Sequence, residues 1–250
     1  MAYEQFAYTY DRLMADMPYD SWIAWFEQSC LSKGLNPRTV VDLGCGTGTI
    51  AIPLASKGYK VFGVDLSEDM LAVAQDKSQG AKLPASGSVT WLQGDLRDWV
   101  LPEKVDVAIS LCDCMNYVLD EEGIIAAIQS VYDGLVDGGL FLFDVHTPQL
   151  LRNYAAEQPY VLDEEEIAYT WVCELDEEEM TIHHQLSIFS QEPSGLYRRT
   201  DEEHVQRAYE LDWLSEQLRA VGFTNIEVTA DFTTDAPNKA TSRAFFSAQK

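Results

Sequence analysis

The sequence predicts an α/β fold, in which a doubly wound parallel sheet carries a small antiparallel sheet inserted in its second half. Up to about residue 147, apolar strand patterns alternate with amphipathic helix patterns, which is typical of parallel strands joined by crossover helices. From about residue 160 to 208, apolar residues recur with period two, as in antiparallel strands that have one buried face. A helix pattern and two strand patterns then follow.

The first half of the chain contains four predicted strands. In order, the predicted elements are a helix at 20–31, a strand at 40–43, a helix at 49–55, a strand at 60–65, a helix at 70–79 and strands at 89–93 and 105–110. Ser67, followed by Glu68 and Asp69, is a favourable N-cap and acidic first turn for the third of these helices. The run at 105–110 is largely apolar, as expected of a central strand covered on both faces.

The second half changes from helix–strand alternation to hairpins. A helix opened by Asp120, a turn at Asp137–Gly139 and a fifth strand at 140–145 complete the alternating part. The remaining predicted elements are hairpin strands at 167–173, 180–188 and 196–200 (with a continuation through 204–209 left open), a helix at 211–221 and strands at 223–230 and 242–248. The last helix is expected to stop at Gly222, because glycine readily adopts the left-handed conformation that ends helices.

Three alternate glycines after the first strand indicate a turn that binds a ligand. Gly44, Gly46 and Gly48 follow Asp42 directly. Glycine lets the backbone turn sharply and approach a ligand, and the next helix presents unpaired N–H groups to it. Asp65 ends the second strand about twenty residues on, where nucleotide-binding α/β folds place an acid that binds ribose. The pattern therefore predicts a nucleoside cofactor.

The spacing of these glycines distinguishes between cofactors. A dinucleotide fingerprint needs its third small residue at position 49, which is Thr49, and a phosphate-binding loop needs a Lys-Ser or Lys-Thr pair that is missing. The segment Asp42–Gly48 instead resembles the first motif of class I S-adenosylmethionine-dependent methyltransferases. The resemblance extends over nearly the whole chain. It implies a Rossmann-like seven-stranded doubly wound sheet, with the last strand antiparallel, and S-adenosyl-L-methionine as cofactor.

The same resemblance divides the chain into a core and an insertion. Residues 1–150 and 209–250 would form the S-adenosylmethionine-binding core, and 151–208 an antiparallel β insertion that covers the substrate. Asp65 would bind the ribose hydroxyls and Asp95 the adenine amino group, although Asp95 could also be a simple turn residue. The residues expected by position to contact the cofactor are Tyr10, Asp42, Gly44, Cys45, Gly46, Asp65, Leu66, Met70, Asp95, Leu96 and Leu111.

Residues for the acceptor and for catalysis are harder to predict. A sulfonium methyl is already activated, so transfer mainly requires alignment and exclusion of water. If the acceptor must lose a proton, His146 and His204 are the candidate bases, whereas His184 is expected to be a satisfied core histidine. The aromatic N-terminal segment either folds over the cofactor or packs on the sheet. Candidate acceptor contacts are Tyr3, Asn116, Tyr117, Trp171, Tyr197 and Arg198, and no metal site is expected.

The charge and cysteine content of the chain indicate which classes of binding partner and which compartment to expect. The chain has 41 acidic and 17 basic side chains, giving a formal net charge of −24, and no cluster of basic residues. Nucleic acid and anionic membrane surfaces are therefore disfavoured as partners. The odd number of cysteines, five, argues against a disulfide framework and favours a reducing cytoplasm. No stretch approaches the roughly 18 to 20 apolar residues of a membrane helix.

Together these features predict a cytoplasmic methyltransferase that acts on a small-molecule acceptor. Methylation of RNA or protein is the main alternative among enzymes, and the Asn-Pro-Pro-Tyr type of motif used on bases is missing. A protein that binds S-adenosylmethionine without turnover is the alternative from another class. Neither the acceptor nor the oligomeric state is predicted.

Overall fold

The structure, a computed structural model, describes residues 3–250, with side chains given for residue 7 and from residue 9 onward. The helices are α1 (Tyr3–Leu13), α2 (Tyr19–Ser32), α3 (Ala51–Ser56), α4 (Glu68–Gln79), α5 (Glu121–Gly134), α6 (Pro148–Glu157) and α7 (Leu211–Val221), with a short 3-10 helix at Cys114–Tyr117. The strands are β1 (Thr39–Leu43), β2 (Lys60–Asp65), β3 (Ser88–Gln93), β4 (Val105–Ser110), β5 (Leu135–His146), β6 (Tyr160–Asp163), β7 (Ile167–Asp176), β8 (Thr181–Gln191), β9 (Tyr197–Arg207), β10 (Thr224–Ala230) and β11 (Arg243–Gln249).

The main sheet confirms the predicted fold class. Its seven strands lie in the order β10-β11-β5-β4-β1-β2-β3. Strands β1 to β5 pair in parallel, and β11 is antiparallel to both of its neighbours, β5 and β10. From β1 the chain builds outward to β3, then returns to the other side of β1 for β4. Because ligands bind at the carboxyl edge where the strand order reverses, the crevice between β1 and β4 is the expected site.

Two apolar layers cover the faces of this sheet. Alternate residues of β1 point to opposite faces, so Val41 packs in the layer that includes α5 and α7, and Val40 in the layer formed with α2 and α3. Trp22 and Phe26 of α2 are buried in the second layer. Burial on both faces explains the largely apolar runs of the central strands and holds their carboxyl ends in fixed positions.

The second sheet is the predicted antiparallel insertion, with the order β6-β7-β8-β9. Two boundaries differ from expectation. Residues 148–157 form α6, which the hairpin interpretation missed; Thr147 caps this helix by accepting from the backbone N–H of Leu150, and Pro148 occupies its first turn. Asp137–Gly139, expected as a turn, lies within β5, which already begins at Leu135.

Helix α1 connects the core with the insertion. Tyr10 and Leu13 pack with Met70 of α4 and with Ile167 and Ile188 of the second sheet. Arg12 forms an ion pair with Glu166 of the insertion at 2.7 Å. Between residues 3 and 250, no helix is both long and apolar enough to cross a lipid bilayer.

Candidate cofactor and acceptor site

A pocket opens at the switch point between β1 and β4. It is open to solvent and has an empty volume of about 360 Å³. The residues that line it are Tyr10, Tyr19, Asp42, Gly44, Cys45, Gly46, Thr47, Thr49, Ile50, Leu111 and Cys112. Six of the residues expected to contact the cofactor, namely Tyr10, Asp42, Gly44, Cys45, Gly46 and Leu111, are therefore brought together.

The glycine turn has the conformation that its sequence demands. Gly44 and Gly46 have φ values of +74° and +52°, a region in which other residues are strained. A Cβ at Gly44 would collide with the Sγ of Cys114, whereas a Cβ at Gly46 would meet nothing within 4 Å. Gly44 thus allows close packing behind the turn, and Gly46 keeps the backbone accessible from the pocket.

Asp65 braces this turn from the end of β2. Its Oδ2 accepts from the backbone N–H of Gly46 at 2.7 Å, and its Oδ1 accepts from that of Ser67 at 2.8 Å. Burial raises the pKa of Asp65, although the bonds from the backbone oppose that shift. Each oxygen keeps a further lone pair for a ligand hydroxyl, so this carboxylate fits a ribose.

Asp42 contributes a buried oxygen without a partner. Its residue is only 3% exposed, and Oδ2 has no hydrogen bond. Burial, with a smaller contribution from the charge of Asp65, raises the pKa of Asp42 to about 7. A buried unpaired acceptor is costly, and a ligand that carries positive charge or N–H groups would relieve the cost. S-adenosylmethionine carries both, so the residues present fit it.

The segments predicted to bind adenine follow β2 and β3. The backbone N–H of Gly94 donates to the carbonyl of Asp65 at 3.0 Å, which brings the segments after β2 and β3 together. Leu66 is 68% exposed at this edge, while Leu96 packs against the core. Asp95 holds the guanidinium of Arg97 through bonds of 2.9 and 2.6 Å, and this side-chain pairing lowers its pKa.

Sequence reasoning missed a network that fastens α1 over the pocket. Asp11 of α1 accepts from the hydroxyl of Thr47 and, at 2.6 Å, from the Nζ of Lys77 on α4. The same Nζ also donates to Thr47 at 3.2 Å and to Thr49 at 3.1 Å. The two threonines line the pocket, so α1 is tied directly to its rim.

A buried ionic network lies on the acceptor side, after β4 and β5. Arg243 donates to Asp144 and, at 2.9 Å, to Asp113. Asp144 also accepts from the Nε1 of Trp22 and the backbone N–H of Cys112, both at 2.8 Å. Cys112 and Asp113 have positive φ values of 59° and 55°, a conformation that the bonds to Asp144 hold in place.

His146, a candidate base, is part of this network. Its Nε2 lies 2.6 Å from the Nη2 of Arg243, and its Nδ1 lies 3.3 Å from the Oε1 of Gln206. Burial lowers the pKa of His146 although Asp113 is near, so the ring is neutral and accepts from Arg243. With its lone pair engaged, His146 cannot take a proton in this arrangement. Gln206 completes the link from the insertion by donating to Asp113 at 2.7 Å.

The other histidines differ in their environments. The Nδ1 of His184 accepts from the Nε1 of Trp171 at 3.1 Å, and burial lowers its pKa to about 4, as expected of a satisfied core histidine. His183 is exposed on the opposite face of β8. His204 is half-buried with a pKa lowered by burial, and its ring lies edge-on to Tyr117 of the 3-10 helix at 6.1 Å.

The proposed acceptor contacts are only partly brought to the site. Tyr117 lies beside His204, but Asn116 is fully buried and binds the backbone N–H and carbonyl of His146. Trp171 packs against Tyr154 and Tyr160 within the insertion. The side chain of Tyr3 lies outside the described residues.

Tyr197 and Arg198 lie at the opposite end of β9 from Gln206. Tyr197 donates to the carbonyl of Glu165, and Arg198 pairs with Glu192 at the far hairpin. Tyr197 and Gln206 are nine residues apart on β9, which corresponds to roughly 30 Å along a strand. Only the Gln206 end of the strand bonds Asp113, and Tyr197 and Arg198 are not brought to that residue. In the described part of the chain, no group of three His, Cys, Asp or Glu side chains could hold a metal ion.

Comparisons with known proteins agree with this geometry. A family profile described as a methyltransferase domain matches residues 40–139. YqeM of Bacillus subtilis, which bears a methyltransferase name, is 37% identical over all of this chain and 98% of its own length. A Streptomyces venezuelae relative, dTDP-3-amino-3,4,6-trideoxy-alpha-D-glucopyranose N,N-dimethyltransferase, is 30% identical over 45% of this chain and 44% of its own. The crystal structure of an S-adenosylmethionine-dependent methyltransferase from Clostridium acetobutylicum superposes with a TM-score of 0.86 and 27% identity, covering 100% of this chain and 99% of the other. The chain belongs to the class I S-adenosylmethionine-dependent methyltransferases.

Proposed function

We propose that this methyltransferase acts on a small-molecule acceptor held between the cofactor pocket and the second sheet. The observation that carries the proposal is the cover over the reaction edge. Gln206 of β9 bonds Asp113, Arg12 of α1 pairs with Glu166, and Tyr10 lines the pocket. A covered edge suits a small acceptor better than a long polymer, which needs an open surface on which to dock.

The relatives support a methyltransferase but differ in what they act on. The Streptomyces venezuelae relative is named for a nucleotide-linked amino sugar, and other relatives matched over part of the chain have porphyrin and protein names. The net charge of −24 favours the small-molecule interpretation over RNA, since RNA binding requires neutralisation of phosphates. All five cysteines are free, which supports the cytoplasm as the location of the protein.

The mechanism that follows requires little chemistry from the protein. S-adenosylmethionine supplies a methyl group that is already activated on its sulfonium. The glycine turn and Asp65 would hold its ribose, and Asp42 would face its positive charge. Tyr10 and α1 would close the pocket against water, and the turn at Cys112 and Asp113 would place the acceptor in line with the methyl group. His204 lies close to Tyr117 and is the remaining candidate base, since the lone pair of His146 is engaged by Arg243.

A labelling experiment tests the proposal. Purified protein is incubated with methyl-labelled S-adenosylmethionine and with a small-molecule ultrafiltrate, total RNA or protein from a bacterial extract. We expect label to enter the ultrafiltrate. Label found in RNA or protein instead would overturn the small-molecule proposal. Binding of the cofactor without transfer of label to any of the three fractions would favour a protein that binds S-adenosylmethionine without turnover.

A further inference from the structure

A buried carboxylate on the insertion is left without a partner. Glu202 of β9 is only 4% exposed, and its Oε1 forms no hydrogen bond. Burial raises its pKa. An unpaired buried carboxylate destabilises the fold, since its hydration is lost without replacement. Nothing in the architecture of the second sheet requires such a group, because Leu186, its direct neighbour on β8, is apolar.

Glu202 is on the face of the insertion that meets the core. Side chains of a strand alternate between its two faces, so Glu202 shares its face with His204 and Gln206. Gln206 bonds Asp113, and His204 lies against Tyr117. Two residues along a strand correspond to about 7 Å, so the three side chains form a row along β9 that begins where Gln206 bonds Asp113.

The same row approaches the cofactor pocket from the side of α1. Helix α1 contacts β9. Leu186, paired with Glu202, packs in the apolar cluster that contains Tyr10, and Tyr10 lines the pocket. Glu202 therefore lies beside Leu186, whose apolar cluster lies between the pocket and the insertion.

Three positive side chains of α1 and the core are each bound by a carboxylate. Arg243 is bound by Asp113 and Asp144, Lys77 by Asp11, and Arg12 by Glu166. Asp42 and Glu202, by contrast, each keep an oxygen without a partner. The described residues around this site thus carry more negative charge than positive, which disfavours an anionic acceptor and favours one that gains positive charge as it reacts.

We propose that the acceptor is an amine and that Glu202 binds the N–H groups of its neutral nitrogen. This inference rests on the proposed function. In the reaction, the acceptor nitrogen forms a bond to the methyl carbon while the bond from that carbon to sulfur breaks, leaving its electron pair on sulfur. The proton released by the nitrogen passes to His204 or to solvent.

The test pairs Glu202→Gln with Glu203→Gln as a matched control. Glu203 is the next residue on the strand, exposed on the opposite face, so both changes remove one charge from β9. Methyl-labelled S-adenosylmethionine is supplied with the small-molecule ultrafiltrate, either untreated or with its amines blocked by acetic anhydride. We expect blocking to abolish transfer by the wild-type protein. Glu202→Gln should lower kcat/KM for the untreated pool by about tenfold to a hundredfold, as expected for the loss of a charged hydrogen bond.

The outcomes separate the two proposals. Affinity for S-adenosylmethionine, measured by calorimetry, should be unchanged in both variants, and thermal melting should show Glu202→Gln to be as stable as the wild type or more so. Transfer that survives blocking of amines would overturn the amine inference and leave the small-molecule proposal intact. Equal kcat/KM values for the two variants would overturn the role of Glu202. No transfer to the untreated pool would contradict the proposed function itself.

Discussion

Replacing Asp42 with asparagine should stabilise the empty protein while weakening its cofactor binding. Asparagine has nearly the same shape but carries no charge. In the folded protein, burial raises the pKa of Asp42 from 3.8 to about 7. A carboxyl with a raised folded-state pKa stabilises the protein fully below its unfolded pKa. That stability is lost as the pH rises through the folded value.

The magnitude follows from the size of the shift. One pKa unit corresponds to about 1.4 kcal/mol, so a rise of about three units corresponds to about 4 kcal/mol. This stability is present below about pH 4 and is lost by about pH 8. Because the asparagine side chain does not titrate, the unfolding free energy of Asp42→Asn relative to wild type should rise by about 4 kcal/mol across that range.

Urea unfolding of both proteins without cofactor, at a series of pH values, measures this difference. At about pH 8 the variant should also bind S-adenosylmethionine about tenfold more weakly or worse, since a charged partner of the ligand is lost. A difference in unfolding free energy that does not change with pH would refute the reasoning. Unchanged affinity would show that Asp42 does not face the positive charge of the cofactor.

Three further predictions concern the ribose contact, the fastening of α1 and the class of partner. Asp65→Ala should weaken binding of S-adenosylmethionine and its demethylated product by about 1.5 to 3 kcal/mol, and unchanged affinity in calorimetry would exclude the ribose role. Lys77→Met should speed cofactor dissociation about fivefold in stopped-flow experiments, because it releases Asp11 of α1. The control Lys57→Met, which removes an exposed ion pair with Glu27, should leave the dissociation rate unchanged. Equal dissociation rates for the two variants would contradict the fastening role of α1. Single-stranded or duplex nucleic acid should not bind at physiological salt, and a micromolar, steeply salt-dependent complex would disprove this.

The parts of the site that could be predicted from the sequence depend on local patterns. The glycine turn, the acid at the end of β2 and the N-cap of α4 are each defined within a few residues. Ser67, for example, accepts from the backbone N–H of Met70 as predicted. The inward face of the insertion also followed from its period of two, which placed His184 among core residues.

The parts that could not be predicted depend on long-range register. Arg243 joins Asp144 and Asp113 across 99 and 130 residues, and no local pattern marks the arginine as their partner. Tyr197 and Arg198 were chosen as aromatic and basic residues of the insertion. Which end of β9 meets the core, however, is set by its pairing with β8 and by the contact of Gln206 with Asp113.

The excess of negative charge around Glu202 bears on the rate of methyl transfer as well as on binding of the acceptor. A neutral amine gains positive charge as its nitrogen bonds to the methyl carbon, while the sulfur loses its charge. A carboxylate on the acceptor side therefore interacts more strongly with the transition state than with the bound neutral amine, and only such differential interactions accelerate the chemical step. A carboxylate on the cofactor side, such as Asp42, favours the charged donor over its neutral product instead. With the proposed roles, Asp42 would select the loaded cofactor and Glu202 would favour transfer of the methyl group away from it.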